Sequence, residues 1–341
     1  NDWQSFFGGP AWARVADGQW YLHLFDKAQP DVNWKNPDIH EEFKKTLRFW
    51  SDHGTDGFRI DVAHGLAKDL ESKPLEELGR EYSVVGVLNH DFSHPLFDRR
   101  EVHDIYREWR KVFNEYNPPR FAVAEAWVVP EHQHLYASMD ELGQSFNFDF
   151  AQANWYADEF RKAIAAGLKA AAETGGSTTT WVMNNHDVPR IATKLENKDL
   201  LKPLYGLLFG MAGVPCVYYG SEWGIEGEQN FGDYELRPAL EEPEWNDLTD
   251  WISGLAKARA QSKAIIWGSY EQLAVQPLQL VFCRTFEDER VIVAVNASAE
   301  PAVMHFDAQS GTGIDLISGQ THDFGGGSEL APYSVCYWKC E

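Results

Sequence analysis

Asp56-Gly57-Phe58-Arg59-Ile60-Asp61-Val62-Ala63-His64 is the stretch that decides how this chain reads. Its core, Phe58 to Val62, alternates apolar and polar residues, which predicts a strand with a period of two. Arg59 and Asp61 stand two apart and so share one face of that strand. A guanidinium beside a carboxylate favours its charged form, the state a nucleophilic carboxylate needs. An ordinary ion pair at a strand end has the same pattern, so the rest of the chain has to decide between the two.

Phe121-Ala122-Val123-Ala124-Glu125 is a short apolar run ending in one carboxylate, and Thr179 to Val182 is a β-prone run leading into Asn184-Asn185-His186-Asp187. Asp61, Glu125 and Asp187 thus sit at three strand ends in a chain that alternates strands with helical stretches. That is where the active sites of (β/α) barrels are assembled. Taken singly, each acid could be a helix cap or a loop charge.

Together these segments resemble the α-amylase superfamily of retaining α-glycosidases. Gly57 to His64 is similar to the family's second conserved region, Val123 to Trp127 to its third, and Asn184 to Asp187 to its fourth. Gln29-Pro30-Asp31-Val32-Asn33 resembles a signature of the oligo-1,6-glucosidase and α-glucosidase branch. Gly213-Val214-Pro215 with Tyr218-Tyr219-Gly220 resembles the eighth-strand motif. Gly220 to Gly224 and Leu236-Arg237-Pro238 look more like the cyclomaltodextrinase and neopullulanase branch.

The resemblance implies an α/β fold: a (β/α)8 TIM barrel, of which this chain carries strands four to eight, followed by an antiparallel β-sandwich. It implies hydrolysis of α-glucosidic bonds in short malto- or isomalto-oligosaccharides, with Asp61 as nucleophile, Glu125 as acid and base, and Asp187 as the third acid. Arg59, His186, Arg190, Val62 and His64 are the implied substrate-contacting residues, Arg59 also holding Asp61. A Val at position 62 goes with acceptance of α-1,6 bonds. The family's first conserved region has no match here. The barrel is therefore expected to need its first three strands from another fragment or a second copy. Alternatives on the same scaffold are a transglycosylase or isomerase, an amylase-like binding module, or a fragment inert by itself.

Composition agrees with an enzyme-like globular protein: 341 residues, 44% hydrophobic and 14% aromatic. A formal charge of −22 argues against a nucleic-acid partner. No apolar run approaches the ~20 residues of a membrane helix. Cys216, Cys283, Cys336 and Cys340 are too few for a disulfide framework and lack zinc-site spacing. They are expected to be thiols, Cys216 a buried one, which points to a reducing, cytoplasmic setting. No cofactor and no metal is expected. His90, Asp91 and His94 lack a fourth ligand and are expected to meet solvent or sugar.

In chain order, residues 1–37 read as the tail of an inserted loop domain, 38–265 as the partial catalytic barrel and 266–341 as an all-β domain. Helices are expected near 38–53, 98–116, 154–172, 200–211 and 246–263. Strand six is expected at 146–150, and C-terminal strands at 278–284, 290–296, 302–306 and 335–338.

Overall fold

The computed structural model describes residues 3–71, 89–148, 157–173, 178–228 and 234–341. They fall into two compact units, residues 1–146 with 169–178 and residues 147–168 with 179–341.

In the first unit, Asn36 caps helix α1 (Pro37–Asp52), its side chain accepting from the Asp38 N–H at 3.0 Å, with Pro37 opening the first turn. Strand β1 (Trp12–Arg14) pairs antiparallel with β2 (Trp20–Leu22). Residues 1–37 thus hold a hairpin as well as loop. The hairpin shares a small core, Trp3, Ala11, Leu22 and Leu24, with Leu96 and Phe97.

After α1 comes β3 (Gly57–Ile60), which lies parallel to β4 (Phe121–Ala124), with Ile60 opposite Ala124. A Cβ at Gly57 would fall 2.8 Å from the Phe121 ring, so the close approach of these strands requires glycine. Strand β4 in turn pairs in parallel with β5 (Gly143–Asn147). Helix α2 (Glu101–Phe113) crosses between β3 and β4 and buries Val102, Ile105, Tyr106, Trp109 and Phe113. Parallel neighbours need such a crossover. The buried Arg110 of α2 donates to the carbonyls of Arg120, Glu141 and Leu142, tying the helix to the segments that feed β4 and β5.

Among the described residues β3 pairs on one side only, with β4. Along that free side runs a cavity of about 550 Å³, lined by Phe43, Leu47 and Trp50 of α1 and by Phe58, Ile60 and Asp61.

In the second unit β6 (Thr178–Val182) is parallel to β7 (Val214–Cys216). The helix Leu201–Gly210 is buried on nearly every face, as a sequence apolar but for Lys202 predicts. It lies against a six-stranded antiparallel sheet so closely that a Cβ at Gly206 would sit 2.2 Å from Val335. That sheet comprises Ser269–Gln276, Gln279–Phe286, Glu289–Asn296, Thr312–Asp315, Thr321–Asp323 and Ser334–Cys340, with Ala302–Met304 and Ser328–Leu330 forming a separate pair.

Arg284 and Arg259 are held here by main-chain carbonyls. Arg284 donates to Ser269, Gly210 and Gly268, and Arg259 to Phe209, Met211, Ile265 and Gly213. Several of these carbonyls lie at or just beyond helix ends, the negative pole of the helix dipole. Burial, with the neighbouring Arg259 charge, pushes Arg284 down to about 9.

Strand β5 begins three residues before the expected strand six, and the expected residues 149 and 150 lie outside the described ones. The strand Ser269–Gln276 was not expected at all. All four cysteines are free, Cys216 half-buried where full burial was expected, and burial pushes its thiol up. Among the described residues no helix is long and apolar enough to cross a membrane.

Candidate active site

Strand β3 stops at Ile60, two residues short of the alternation. Asp61 is the first residue beyond it, and Val62 adopts a left-handed conformation, φ 41 and ψ 47, before a single turn of 3-10 helix, Ala63–Gly65. For a β-branched residue this costs on the order of 1–3 kcal/mol. The surroundings hold it in place. Val62 N–H donates to Glu125 Oε2 at 2.8 Å, Ala63 N–H to the Glu125 carbonyl at 2.8 Å, and Glu125 N–H to the Ile60 carbonyl at 2.9 Å. Tyr106 Oη donates to the Ala63 carbonyl, and Asp98 N–H to the His64 carbonyl at 2.6 Å. The carboxyl ends of β3 and β4 are therefore laced together through Glu125.

Arg59 spans the two acids, with Nη1 2.6 Å from Asp61 Oδ1 and Nη2 3.4 Å from Glu125 Oε2. Their surroundings are unlike: the Asp61 side chain is 67% exposed and that of Glu125 9%. Burial pushes the Glu125 carboxyl above its ordinary value. The Val62 N–H, the Trp127 indole and Arg59 pull the other way by favouring the charged form. Trp127 Nε1 donates to Glu125 Oε1 at 2.7 Å. Neighbouring carboxyls in surroundings as unlike as these are equipped for different roles.

In the second unit Asp187 is anchored on both oxygens, by Arg237 Nη2 at 2.8 Å and by His186 Nε2 at 3.2 Å. Arg237 Nε also donates to the His186 carbonyl, and the Asp187 N–H bonds to Asn185 Oδ1. Arg237 was recognisable only as part of a branch motif, and Trp127 only as the end of another. Which side chains they reach is a matter of folding, not of spacing.

Two expected sugar contacts are corrected. Arg190 has no exposed surface; its guanidinium donates to the carbonyls of Tyr219 and Leu236 and lies over the rings of Tyr218 and Tyr219, so it braces a loop. His64 is likewise fully buried, its ring 5.2 Å from that of Phe97. Among the histidines of the following loop His94 is buried, its Nδ1 accepting from Leu96 N–H, while His90 is exposed. Beneath this loop lies a network no motif announced: the fully buried Asp98, bonded to His132 Nδ1 at 2.6 Å and to Tyr136 Oη at 2.7 Å.

Residues 1–271 match the model of the α-amylase catalytic domain. The chain belongs to the α-amylase family. Within that family it is 33% identical over 246 residues to a trehalose-6-phosphate hydrolase of Escherichia coli K12, a match spanning 66% of this chain and 42% of the relative. It is 30% identical over 247 residues to an oligo-1,6-glucosidase of Parageobacillus thermoglucosidasius, covering 66% and 42%. With an α-glucosidase of Culex pipiens it shares 29% over 266 residues, 73% of this chain and 44% of the relative. The chain thus spans about two-fifths of the length of these curated relatives. Among solved structures, trehalulose synthase from Pseudomonas mesoacidophila MX-45 superposes with a TM-score of 0.80 at 21% identity, over all of this chain and 75% of that one.

Proposed function

We propose that the chain carries the catalytic acids of a retaining α-glucosidase acting on short malto- or isomalto-oligosaccharides. The observation that carries this reading is Arg59 joining an exposed Asp61 to a buried Glu125. Carboxylates that share one guanidinium suit the ~5–5.5 Å separation of a retaining pair better than the ~6.5–9.5 Å of an inverting one. Asp61 attacks the anomeric carbon as the glycosidic C–O bond breaks, and Glu125 gives its proton to the departing oxygen. Glu125 then takes a proton from water, whose oxygen displaces Asp61 from the sugar. Asp187, oriented by Arg237 and His186, binds sugar hydroxyls. If a sugar hydroxyl replaces water in the second step, the same acids perform transfer instead of hydrolysis, and product analysis separates the two.

The side of β3 that has no partner strand among the described residues, and the apolar cavity beside it, support a further part of the proposal. The three strands that the resemblance places ahead of this chain pair there and complete the barrel, so the 341 residues alone turn over little substrate. A fluorinated glucoside that stalls at the covalent stage tests both points. Peptide mapping is expected to find the label on Asp61 when the missing strands are supplied and no label without them. A label on Glu125 or Asp187 would overturn the roles; labelling of the chain alone would overturn the need for the strands.

Linkage preference rests on Val62. Its side chain leans on the core that contains Leu24 and Phe97, which fixes where its branched carbon stands beside Asp61. Isomaltose is expected to be cleaved at least as well as maltose, with Val62→Thr moving the kcat/KM ratio toward maltose by about 10-fold, the usual scale for small apolar changes. A ratio dominated by maltose and unmoved by Val62→Thr would dispose of the linkage claim alone.

A further inference from the structure

Glu125 is gripped at both oxygens. The Trp127 indole N–H reaches Oε1 at 2.7 Å, and the Val62 main-chain N–H reaches Oε2 at 2.8 Å. Rotating the carboxyl about its terminal bond would break one of these hydrogen bonds or both. Neither donor titrates in the range where enzymes work: an indole only donates, and so does a peptide N–H. The grip therefore persists whether Glu125 is charged or neutral, and it excludes the acidic proton from the two lone pairs that face the donors. Of the two donors, the Val62 N–H is set by the main chain, whereas Trp127 is a side chain standing just beyond β4, two residues after the acid it holds.

We propose that Trp127 is the positioning residue of Glu125: its indole N–H fixes the plane of the carboxyl and holds its charged form within reach, so that one group can serve as acid in the first half of the cycle and base in the second. The inference rests on the acid–base reading of Glu125 but concerns a different residue. Burial alone favours the protonated form of Glu125 and so works against its accepting a proton from water. The indole opposes burial without placing a second charge beside the reacting sugar, as a Lys or Arg in its place would.

Indole-¹⁵N labelling tests this in the full chain without any need for turnover. The Trp127 N–H resonance, identified by its loss in Trp127→Phe, is expected to follow a one-proton titration that disappears in Glu125→Gln. In Trp127→Phe, which keeps an aromatic ring, the Glu125 carboxyl followed by ¹³C is expected to titrate about one pH unit higher, since a donor to the charged form is gone. With the barrel completed, the alkaline limb of kcat/KM is expected to rise with it. An indole resonance indifferent to pH, or a Glu125 midpoint unmoved by Trp127→Phe, would overturn the proposal. If the carboxyl midpoint moves and the alkaline limb stays where it was, the indole grip is upheld and the assignment of Glu125 as the acid falls instead. If Trp127→Phe does not fold, the comparison of the unmodified chain with Glu125→Gln still decides whether the indole senses Glu125.

Discussion

Asp61→Asn is expected to lower kcat of the completed enzyme on the order of 10⁴-fold or more, the scale seen when a covalent nucleophile is removed. The amide keeps the shape of the side chain and loses the negative charge that makes the carboxylate a nucleophile. Folding should scarcely notice. Asp61 lies mostly in solvent, and an exposed ion pair of this kind contributes about 1 kcal/mol at most. A second effect follows from geometry. The Asp61 charge raises the affinity of Glu125 for its proton, and Arg59 opposes it, so without Asp61 the guanidinium acts on Glu125 uncompensated. Glu125 should then titrate lower in Asp61→Asn, visible in a ¹³C carboxyl titration of the inactive protein. Residual turnover within tenfold of the parent, in a sample shown by mass to be free of deamidated product, would remove Asp61 from the mechanism.

Glu125→Gln should divide substrates by their leaving groups. Sugar and alkyl aglycones need a proton as they depart, and their glycosylation rate is expected to fall ~10³-fold, within the range for general acid catalysis. Aglycones that leave as stable anions should be attacked by Asp61 nearly as fast as before. The pH dependence has a definite sign. Burial raises the Glu125 carboxyl above the ordinary glutamate value, so its acid form survives into less acidic solution than usual and activity declines as pH rises through the folded value. Stability carries the same signature. The folded chain binds this proton more tightly than the unfolded chain, so its contribution is complete below the ordinary value and disappears as pH rises through the folded one. Gln carries no such proton. The Tm of Glu125→Gln relative to the parent should therefore climb across that window and level off beyond it; a difference independent of pH would contradict the burial account.

Much of the candidate site was legible in the chain itself. Acids at the ends of short strand-like stretches singled out Asp61 and Glu125, and β3 and β4 each stop at the residue before the acid. The departure at Val62 has a local cause: alternation continued the strand, but the hydrogen bond to Glu125, 63 positions away, draws the main chain out of it. The resemblance suggested Arg190 and His64 as sugar contacts, from their places in and beside its motifs. Their burial depends on what covers them, and that cannot be read along the chain. The carbonyls bound by Arg284 lie as far as 74 residues from it, with no periodicity to betray them. Trp127 and Arg237 were in plain view inside quoted motifs, yet only the fold shows which carboxylate each one holds.

The left-handed backbone at Val62 has a consequence for anyone redesigning this protein for robustness. Routines that score main-chain comfort would nominate Gly or Asn at that position, since either relaxes a conformation that a branched side chain tolerates poorly. Such a change would be entered as an improvement. The main-chain N–H that holds Glu125 would survive the exchange, since Gly and Asn both carry it, but the branched carbon that stands next to Asp61 would be withdrawn. Thermal tolerance and the proposed choice of linkage are set against each other at this single residue.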